Sequence, residues 1–319
     1  MPEKVLVTRE IPEAGLRLLE EFDVTVLSEG PPERDELLEA ARSTDGVLCT
    51  LTEQMDAGFM DAAGESLKVI ANMAVGFDNV NLEAARERGV VVTNTPEVLN
   101  ETTADTAFML LLAAARRLGE GERMVRAGRW GAWGPKMLLG PDVWGKKLGI
   151  LGFGRIGQAV ARRAKGFDME ILYASRSRKE EAEKELDAQY LDLNELLRQS
   201  DFISIHTPLT EETTHLIGAS ELEKMKPQAV LVNTSRGPLV DEGALAAALE
   251  EGRIFAAGLD VYEEEPKVHP KLLELENVVL APHIGSASLE TREKMAAAAA
   301  EDLRAVLRGE EPKNPINSY

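Results

Sequence analysis

The 319-residue chain has a single cysteine, Cys49, and only four histidines. One cysteine excludes an intrachain disulfide and a cysteine-based zinc site, so we expect no metal centre and a reducing, cytoplasmic environment. Basic residues are also scarce, because 36 lysines and arginines are set against 55 acidic residues and leave a net charge of −19. This charge disfavours nucleic acids and anionic membranes as partners, since both need a basic surface. The longest apolar run, residues 107–115, is too short to cross a bilayer.

A glycine fingerprint stands near the middle of the chain. A short apolar run at residues 148–151 leads into the fingerprint, and residues 158–165 continue with a helical pattern. In such a motif the first glycine permits a tight turn, the second lets the backbone approach a pyrophosphate, and the third allows the helix to pack closely on the sheet. The helix N-terminus also favours an anion. The predicted dinucleotide contacts in the fingerprint are Gly152, Phe153, Gly154, Arg155, Ile156 and Gly157.

The position of the fingerprint predicts a second folded unit, because about 145 residues precede it. Short apolar runs alternate with helical segments on both sides of it, which favours parallel sheets covered by helices on both faces. Strands are predicted at residues 5–8, 47–50, 69–71, 90–93, 148–151, 171–173, 202–205, 230–233, 257–260 and 278–280. The predicted fold is α/β, with two doubly wound, Rossmann-like domains, of which the substrate domain is flavodoxin-like.

The predicted domain division is discontinuous. The alanine-rich segment 288–307 is amphipathic at helical spacing and is expected to return to the first domain. Residues 1–98 and 286–319 would then form a substrate-binding domain, and residues 99–285 a dinucleotide-binding domain. A ligand is expected in the cleft between them.

The turn after the strand predicted at 171–173 bears on the choice of cofactor. NAD-preferring sites usually carry an acidic residue about 20 residues after the fingerprint, whereas this chain has Ser175, Arg176, Ser177 and Arg178 there. Hydroxyl and guanidinium groups suit a 2′-phosphate. The sequence therefore favours NADP(H), and NAD(H) is the alternative if the arginines form only a solvated surface.

Polar side chains that follow apolar strands are the candidates for chemistry. Arg236 could form a bidentate pair with a substrate carboxylate. His283 lies at the carboxyl end of a predicted strand, where doubly wound sheets bind ligands, so it is either a general acid or a packed structural histidine. A carboxylate beside it would fix the ring tautomer for protonation of a developing alkoxide. By spacing alone, Glu263, Glu264 and Glu265 are equal candidates for that carboxylate.

Four motifs in order resemble the D-isomer-specific 2-hydroxyacid dehydrogenase family, and the resemblance covers nearly the whole chain. The motifs occupy residues 152–157, 233–237, 258–266 and 282–288. The resemblance implies Arg236 as substrate anchor, Glu265 as the partner of the histidine, and His283 as general acid/base. It also implies that Val75 and Gly76 donate backbone N–H groups to the substrate carboxylate, which a glycine turn after a strand is suited to do.

The resemblance implies further contacts. Thr103 would touch the cofactor and Asp260 would hold the nicotinamide carboxamide, although Thr102, Asp105 and Thr106 could play similar parts. The remaining expected cofactor contacts are Ser175, Arg176, Ser177, Thr207, Pro208, Thr234, Ser235 and Gly285. The substrate pocket is expected to include Leu51, Thr52 and Trp133. The tryptophan would border the pocket of a neighbouring subunit or simply pack in a dimer interface.

Within the family the chain is similar to glyoxylate/hydroxypyruvate reductases, through Tyr173, Arg176 and the segment 130–135. This similarity implies a homodimer that reduces a small 2-oxo acid, glyoxylate or hydroxypyruvate, to the D-2-hydroxy acid with NAD(P)H. The alternative enzymes are a 2-ketogluconate reductase or another D-2-hydroxyacid dehydrogenase. A more distant alternative is a non-enzymatic scaffold that senses dinucleotides.

Overall fold

A computed structural model describes residues 2–27 and 30–317 of the chain. The chain divides into two compact units, Met1–Leu99 with Ala287–Tyr319, and Asn100–Ser286. Which unit binds the substrate and which binds the dinucleotide stays a prediction.

The first unit contains a parallel sheet of five strands within the described residues. The strands are β1 (Lys4–Val7), β2 (Asp23–Val26), β3 (Gly46–Cys49), β4 (Val69–Asn72) and β5 (Val91–Thr93). Their order across the sheet is β2-β1-β3-β4-β5, the flavodoxin-like order. The connecting helices are α1 (Glu13–Leu16), α2 (Arg34–Ala40), α3 (Ala57–Ala63) and α4 (Leu82–Glu87). Strands β3 and β4 are buried throughout, because parallel sheets are covered on both faces.

The second unit contains a parallel sheet of seven strands among the described residues. The strands are β6 (Lys147–Leu151), β7 (Glu170–Ala174), β8 (Ala188–Tyr190), β9 (Phe202–Ile205), β10 (Val230–Asn233), β11 (Ala256–Leu259) and β12 (Val278–Leu280). Their order is β12-β11-β10-β9-β6-β7-β8. The chain direction across the sheet therefore switches between β6 and β9, the place where doubly wound sheets bind ligands.

Helices surround the second sheet and supply much of its core. They are α5 (Asn100–Ala115), α6 (Leu118–Arg126), α7 (Arg155–Lys165), α8 (Glu180–Leu186), α9 (Leu193–Gln199), α10 (Ala219–Leu222), α11 (Glu242–Glu250) and α12 (Pro270–Glu274). Helix α5 is apolar on most sides and packs in the core cluster with β6 and α7. Short 3₁₀ helices lie at Arg17–Leu19, Glu211–Thr213 and Gly237–Leu239.

The last helix, α13 (Leu289–Leu307), belongs to the first unit. The Ser288 hydroxyl caps it by accepting from the N–H of Thr291. Gly15 of α1 lies so close to it that an added Cβ would stand 2.9 Å from the Cβ of Ala296. The absence of a side chain at Gly15 therefore lets α1 and α13 pack closely.

The predicted fold class, two doubly wound parallel-sheet domains, is confirmed. Strands β2 and β8 were not predicted; both are edge strands with exposed or half-exposed residues. Such strands lack the continuous apolar run that marks a strand buried on both faces. Wherever an end of the other strands differs from its predicted position, the difference is one residue. Among the described residues, no helix has both the length and the apolarity that a membrane span requires.

Candidate active site

The fingerprint turn connects β6 to α7, and its glycines have different surroundings. Gly152 has a φ of +91°, and a Cβ there would stand 2.4 Å from the carbonyl oxygen of His206. A Cβ at Gly157 would stand 2.3 Å from the carbonyl oxygen of Gly152, whereas one at Gly154 would meet no atom of the described residues within 4 Å. Packing within the protein thus requires the first and third glycines but not the second. Open space at Gly154, at the N-terminus of α7, fits close approach by a pyrophosphate.

Two buried polar atoms near the switch point also fit a bound dinucleotide. The hydroxyl of Thr234 and Nδ1 of His206 are buried and have no hydrogen-bond partner among the described residues. Most buried polar atoms in proteins are paired, so a ligand is a reasonable source of these partners. Burial lowers the pKa of His206 to about 3, which keeps the ring neutral. Thr207 and Pro208 follow this histidine directly after β9.

The turn after β7 holds its two arginines in different ways. Both guanidinium contacts of Arg178 go to the carboxylate of Glu183 in α8, at 2.8 Å each. Arg176 is exposed and has no hydrogen-bond or ion-pair partner within the described part of the chain. The Ser175 hydroxyl donates to the carbonyl of Ser177 at 2.6 Å. The structure therefore leaves Arg176, rather than Arg178, as the uncommitted cation of this turn.

His283 and Glu265 form a close pair at the carboxyl ends of β11 and β12. Nδ1 of His283 lies 2.7 Å from Oε2 of Glu265, and both side chains are about one-quarter exposed. Nε2 has no partner among the described residues. Glu263, by contrast, lies 2.5 Å from Nε2 of His215. Residues 263–265 form an acidic turn. Of its three glutamates, the structure thus places Glu265 beside His283.

The charges around Glu265 keep its carboxylate ionised. Burial alone would raise its pKa, but the hydrogen bond and charge of His283, the N–H of Tyr262 and the charge of Arg236 outweigh burial and lower it. An ionised carboxylate can only accept a hydrogen bond, so it holds the proton on Nδ1 and orients the ring with Nε2 away from Glu265. The pair is therefore suited to general acid/base chemistry at Nε2.

Asp260 holds the loop that carries His283. Its side chain is fully buried, and its two oxygens accept from the N–H groups of Ile284 and Gly285 at 2.7 Å each. The His283 N–H donates to the Asp260 carbonyl at 2.9 Å, and His283 has a φ of +54°. These contacts fix an uncommon backbone conformation for a non-glycine residue. The predicted role of Asp260 toward the nicotinamide stays a prediction.

Arg236 is held beside this pair by the turn after β10. The side-chain amide of Asn233 donates to the Arg236 carbonyl at 2.8 Å, and Nη1 of Arg236 donates to the Ser235 carbonyl at 2.8 Å. A Cβ at Gly237 would lie 1.8 Å from the carbonyl carbon of Tyr262. The turn that carries Arg236 therefore packs directly on the turn that carries Glu265. The charge of Arg236 contributes to the lowered pKa of Glu265.

The first turns of α5 pack against the loop after His283. A Cβ at Gly285 would lie 3.5 Å from Cγ2 of Thr103, and the Thr106 hydroxyl lies 3.4 Å from the Gly285 carbonyl. Asp105 instead pairs with Arg163 of α7 at 2.7 Å. Among the neighbours considered for cofactor contact, Thr103 and Thr106 thus lie beside the His283 loop and Asp105 is committed elsewhere.

In the first unit, the predicted substrate residues follow the neighbouring strands β3 and β4. The side-chain amide of Asn79 donates to the carbonyls of Thr50 and Glu53, at 2.9 and 3.0 Å. It thereby joins the loop that carries Leu51 to the turn that carries Val75 and Gly76. These three residues belong to one region of the first unit.

Glu53 is a buried carboxylate beneath the Leu51 loop. Burial would raise its pKa, but hydrogen bonds from Thr52, from the N–H and hydroxyl of Thr50 and from Thr8 lower it. Sequence reasoning missed this residue, as it missed Asn79 and Asn233. For Asn233, the last residue of β10, the available signal was a polar residue at the end of a buried apolar strand, a position that a doubly wound sheet uses for ligands.

Comparisons with known proteins identify the family. The model described as "D-isomer specific 2-hydroxyacid dehydrogenase, NAD binding domain" matches residues 108–285. A glyoxylate reductase of Thermococcus litoralis is 53% identical, over 99% of this chain and 97% of its own length. The chain belongs to the D-isomer specific 2-hydroxyacid dehydrogenase family. The family predicted from the four motifs is thus confirmed.

Solved structures of similar proteins share the whole fold of this dehydrogenase. A protein of Thermus thermophilus has a TM-score of 0.93 and 49% identity, covering 98% of this chain and 99% of its own. An NADPH-dependent glyoxylate/hydroxypyruvate reductase of Sinorhizobium meliloti, in complex with NADP and malonate, has a TM-score of 0.86 and 36% identity, covering 99% and 97%. The dehydrogenase is therefore an oxidoreductase that uses NAD(P).

Two further predictions for the dehydrogenase concern Trp133 and metal ions. Trp133 is 77% exposed, and Trp130 and Trp144 are also exposed. Within residues 2–27 and 30–317, no group of three or more histidine, cysteine or acidic side chains is arranged to hold a metal ion.

Proposed function

We propose that this dehydrogenase reduces glyoxylate and hydroxypyruvate to glycolate and D-glycerate, with NADPH as the preferred reductant. The observation that carries this proposal is the pair of His283 and Glu265 beside Arg236, on a sheet whose fingerprint turn fits a dinucleotide. The names of the relatives support the substrate class, since one at 53% identity is a glyoxylate reductase. Another acts on glyoxylate or hydroxypyruvate with NADPH.

In the second unit, His283, Glu265 and Arg236 each have a separate role in the reaction. When bound, a reduced nicotinamide supplies a hydride to the carbonyl carbon of the 2-oxo acid. His283 donates the Nε2 proton to the carbonyl oxygen, so the carbonyl becomes a hydroxyl group. Glu265 accepts the hydrogen bond from Nδ1 and so orients the ring for the transfer. Arg236 offers a planar, bidentate partner for the substrate carboxylate.

The first unit contributes backbone donors for the substrate. The N–H groups of Val75 and Gly76 receive the carboxylate of the 2-oxo acid, as successive N–H groups in a turn can bind an anion. Leu51, on the loop joined to this turn through Asn79, borders the substituent of the 2-oxo acid. This substituent is hydrogen in glyoxylate and hydroxymethyl in hydroxypyruvate.

The preference for NADPH rests on the turn after β7. No carboxylate occupies residues 174–178, and Arg176 is an uncommitted cation beside the hydroxyls of Ser175 and Ser177. Arg178 is paired with Glu183, so Arg176 contributes the main charge to a 2′-phosphate. A guanidinium group suits a phosphate better than an ammonium group does, because its planar donors can bind two oxygens at once.

We also propose that the enzyme works in the cytoplasm as a homodimer. The single, buried cysteine fits a reducing compartment. Residues 118–144 expose several large apolar side chains, including three tryptophans. Clustered exposed apolar groups of this kind are typical of protein interfaces, and a second copy of the chain is the occupant that the family resemblance implies.

The direct test measures initial rates with glyoxylate and with hydroxypyruvate, each with NADPH and with NADH. We expect rapid oxidation of NADPH with both acids and slower oxidation of NADH. Analysis of the hydroxypyruvate product on a chiral column should give D-glycerate. Turnover only with a bulkier acid such as 2-ketogluconate would overturn the substrate assignment, and no turnover with any 2-oxo acid would favour the sensing scaffold.

A further inference from the structure

The turn after β4 has its peptide carbonyl groups fixed by the protein. Three consecutive carbonyls, those of residues 74–76, each accept a hydrogen bond from a donor outside the turn. The donors are the N–H of Thr95 for Ala74 at 2.9 Å, the side-chain amide of Asn94 for Val75 at 2.8 Å, and the side-chain amide of Asn72 for Gly76 at 2.9 Å.

Fixing a carbonyl also fixes the N–H group of the next residue. A trans peptide unit is planar, so its C=O and N–H groups point in opposite directions. Anchoring the carbonyls of residues 74–76 therefore turns the N–H groups of Val75, Gly76 and Phe77 away from those donors. None of these three N–H groups has an acceptor within the described residues. Three neighbouring N–H donors without protein partners form a site suited to an anion.

The two asparagines stand at matching positions of the sheet. Asn72 is the last residue of β4, and Asn94 follows the last residue of β5. The register pairs Ala71 with Thr93, so the next step along the strands brings Asn72 and Asn94 side by side. Both amides thus reach the turn from the same carboxyl edge.

The two asparagines differ in burial and in their other hydrogen bonds, and Asn94 is the better site for a substitution. Asn72 is fully buried and forms an amide pair with Asn79, at 3.3 Å from its nitrogen to the Asn79 oxygen. Asn94 is only half-buried, and among the described residues its side chain makes one hydrogen bond, to Val75. A change at Asn94 therefore removes the anchor of one peptide unit with little loss of core packing.

We infer that Asn94 is a positioning residue that sets the N–H of Gly76 toward the carboxylate of the 2-oxo acid. Asn72 does the same for the N–H of Phe77, which adds a third donor to those of Val75 and Gly76. The inference rests on the proposed function. Without the Asn94 amide, the peptide unit between Val75 and Gly76 can rotate, and a carbonyl oxygen then faces the substrate carboxylate.

The test compares oxalate binding by calorimetry to the wild-type enzyme and to the Asn94→Ala variant, each saturated with NADP⁺. Oxalate carries the carboxylate of the substrate but cannot be reduced. We expect the Kd for oxalate to rise about 10- to 100-fold, as for loss of a hydrogen bond to a charged group. The KM for glyoxylate should rise more than kcat falls. The Kd for NADPH should stay unchanged.

The Asn94→Asp variant gives a readout that a merely structural role would not move. An ionised aspartate cannot donate to the Val75 carbonyl, whereas a protonated aspartate can. The ratio of the variant's oxalate Kd to the wild-type value should therefore fall toward one as pH is lowered. A ratio that stays constant with pH overturns the inference. Weak oxalate binding by Asn94→Asp together with normal oxalate binding by Asn94→Ala also overturns it, because the aspartate then acts only by charge repulsion.

The Asn81→Ala variant is the matched control. Asn81 caps α4 in the same unit by accepting from the N–H of Ala84, so its loss should lower the Tm without changing oxalate binding. Parallel losses in Tm, NADPH binding and oxalate binding for Asn94→Ala would mark a structural role and overturn the inference. A wild-type enzyme that neither binds oxalate nor reduces glyoxylate would instead overturn the proposed function.

Discussion

Arg176 and Arg178 stand two residues apart in the chain, yet their side chains have different surroundings. The carboxylate of Glu183 holds Arg178 by two hydrogen bonds, whereas Arg176 has no partner in the described chain. The hydroxyl of Tyr173 also donates to Glu183, which ties the end of β7 to α8. Only one of the two arginines is thus available to bind a phosphate without breaking an existing ion pair.

We predict that Arg176→Ala raises the KM for NADPH about 10- to 100-fold, because it removes a charge-assisted contact with the 2′-phosphate. The KM for NADH should change little. Arg178→Ala is the matched control and should have a smaller effect on NADPH, since its guanidinium is already paired. Steady-state kinetics with both cofactors check this. Equal effects of the two substitutions, or a similar loss with NADH, would contradict the assignment.

Residues that act through distant partners were the hardest to find from the sequence. The motifs singled out His283, Arg236 and Glu265, because the family resemblance chose the third glutamate of the acidic turn. The side-chain partners of Asn94 and Glu53 include Val75 and Thr8, which lie 19 and 45 residues away in the chain. A local pattern cannot show which distant carbonyl or hydroxyl group an asparagine or glutamate will meet.

At the scale of elements, the segment 118–144 has an unusual surface. Helix α6 has no buried residue. Large apolar side chains exposed in the segment are Leu118, Val125, Trp130, Trp133, Leu139 and Trp144. Exposed apolar groups are normal singly, but a cluster of them along one segment indicates a covered surface. The proposed homodimer would cover it.

We predict a dimer of 34.8 kDa chains in sedimentation equilibrium. The double substitution Leu118→Glu and Val125→Glu should yield monomers, because burying two carboxylates in an apolar interface is costly. Leu273→Glu is the matched control, since Leu273 is also a large exposed apolar residue, on α12, and it should leave the dimer intact. A monomeric wild type, or a double variant that stays dimeric, would contradict this interface.

Strands with a continuous apolar run were predictable, and strands without such a run were not. Strands β9, β10 and β12 have the predicted bounds, because their apolar residues form continuous runs. The edge strands β2 and β8 have mostly exposed residues and no such run. Their pairing depends on the neighbouring strands β1 and β7, which is tertiary information.

At the scale of the whole molecule, each of the two units places most of its candidate residues at the carboxyl edge of a parallel sheet. In the first unit these residues follow β3, β4 and β5, and in the second they follow β6, β7, β9, β10, β11 and β12. This arrangement is a general property of doubly wound sheets, so it could be predicted from the alternation of strands and helices. The chemistry depends on the particular side chains at those edges.

The most direct test of the account compares His283→Gln with the wild-type enzyme, with glyoxylate and NADPH as substrates. Glutamine can keep a hydrogen bond to Glu265 but cannot supply a proton. We predict that kcat falls about 100- to 10,000-fold, as for loss of a general acid, while the Kd for NADPH, measured by fluorescence, stays the same. A His283→Gln enzyme that reduces glyoxylate at a rate near that of the wild type would contradict the account.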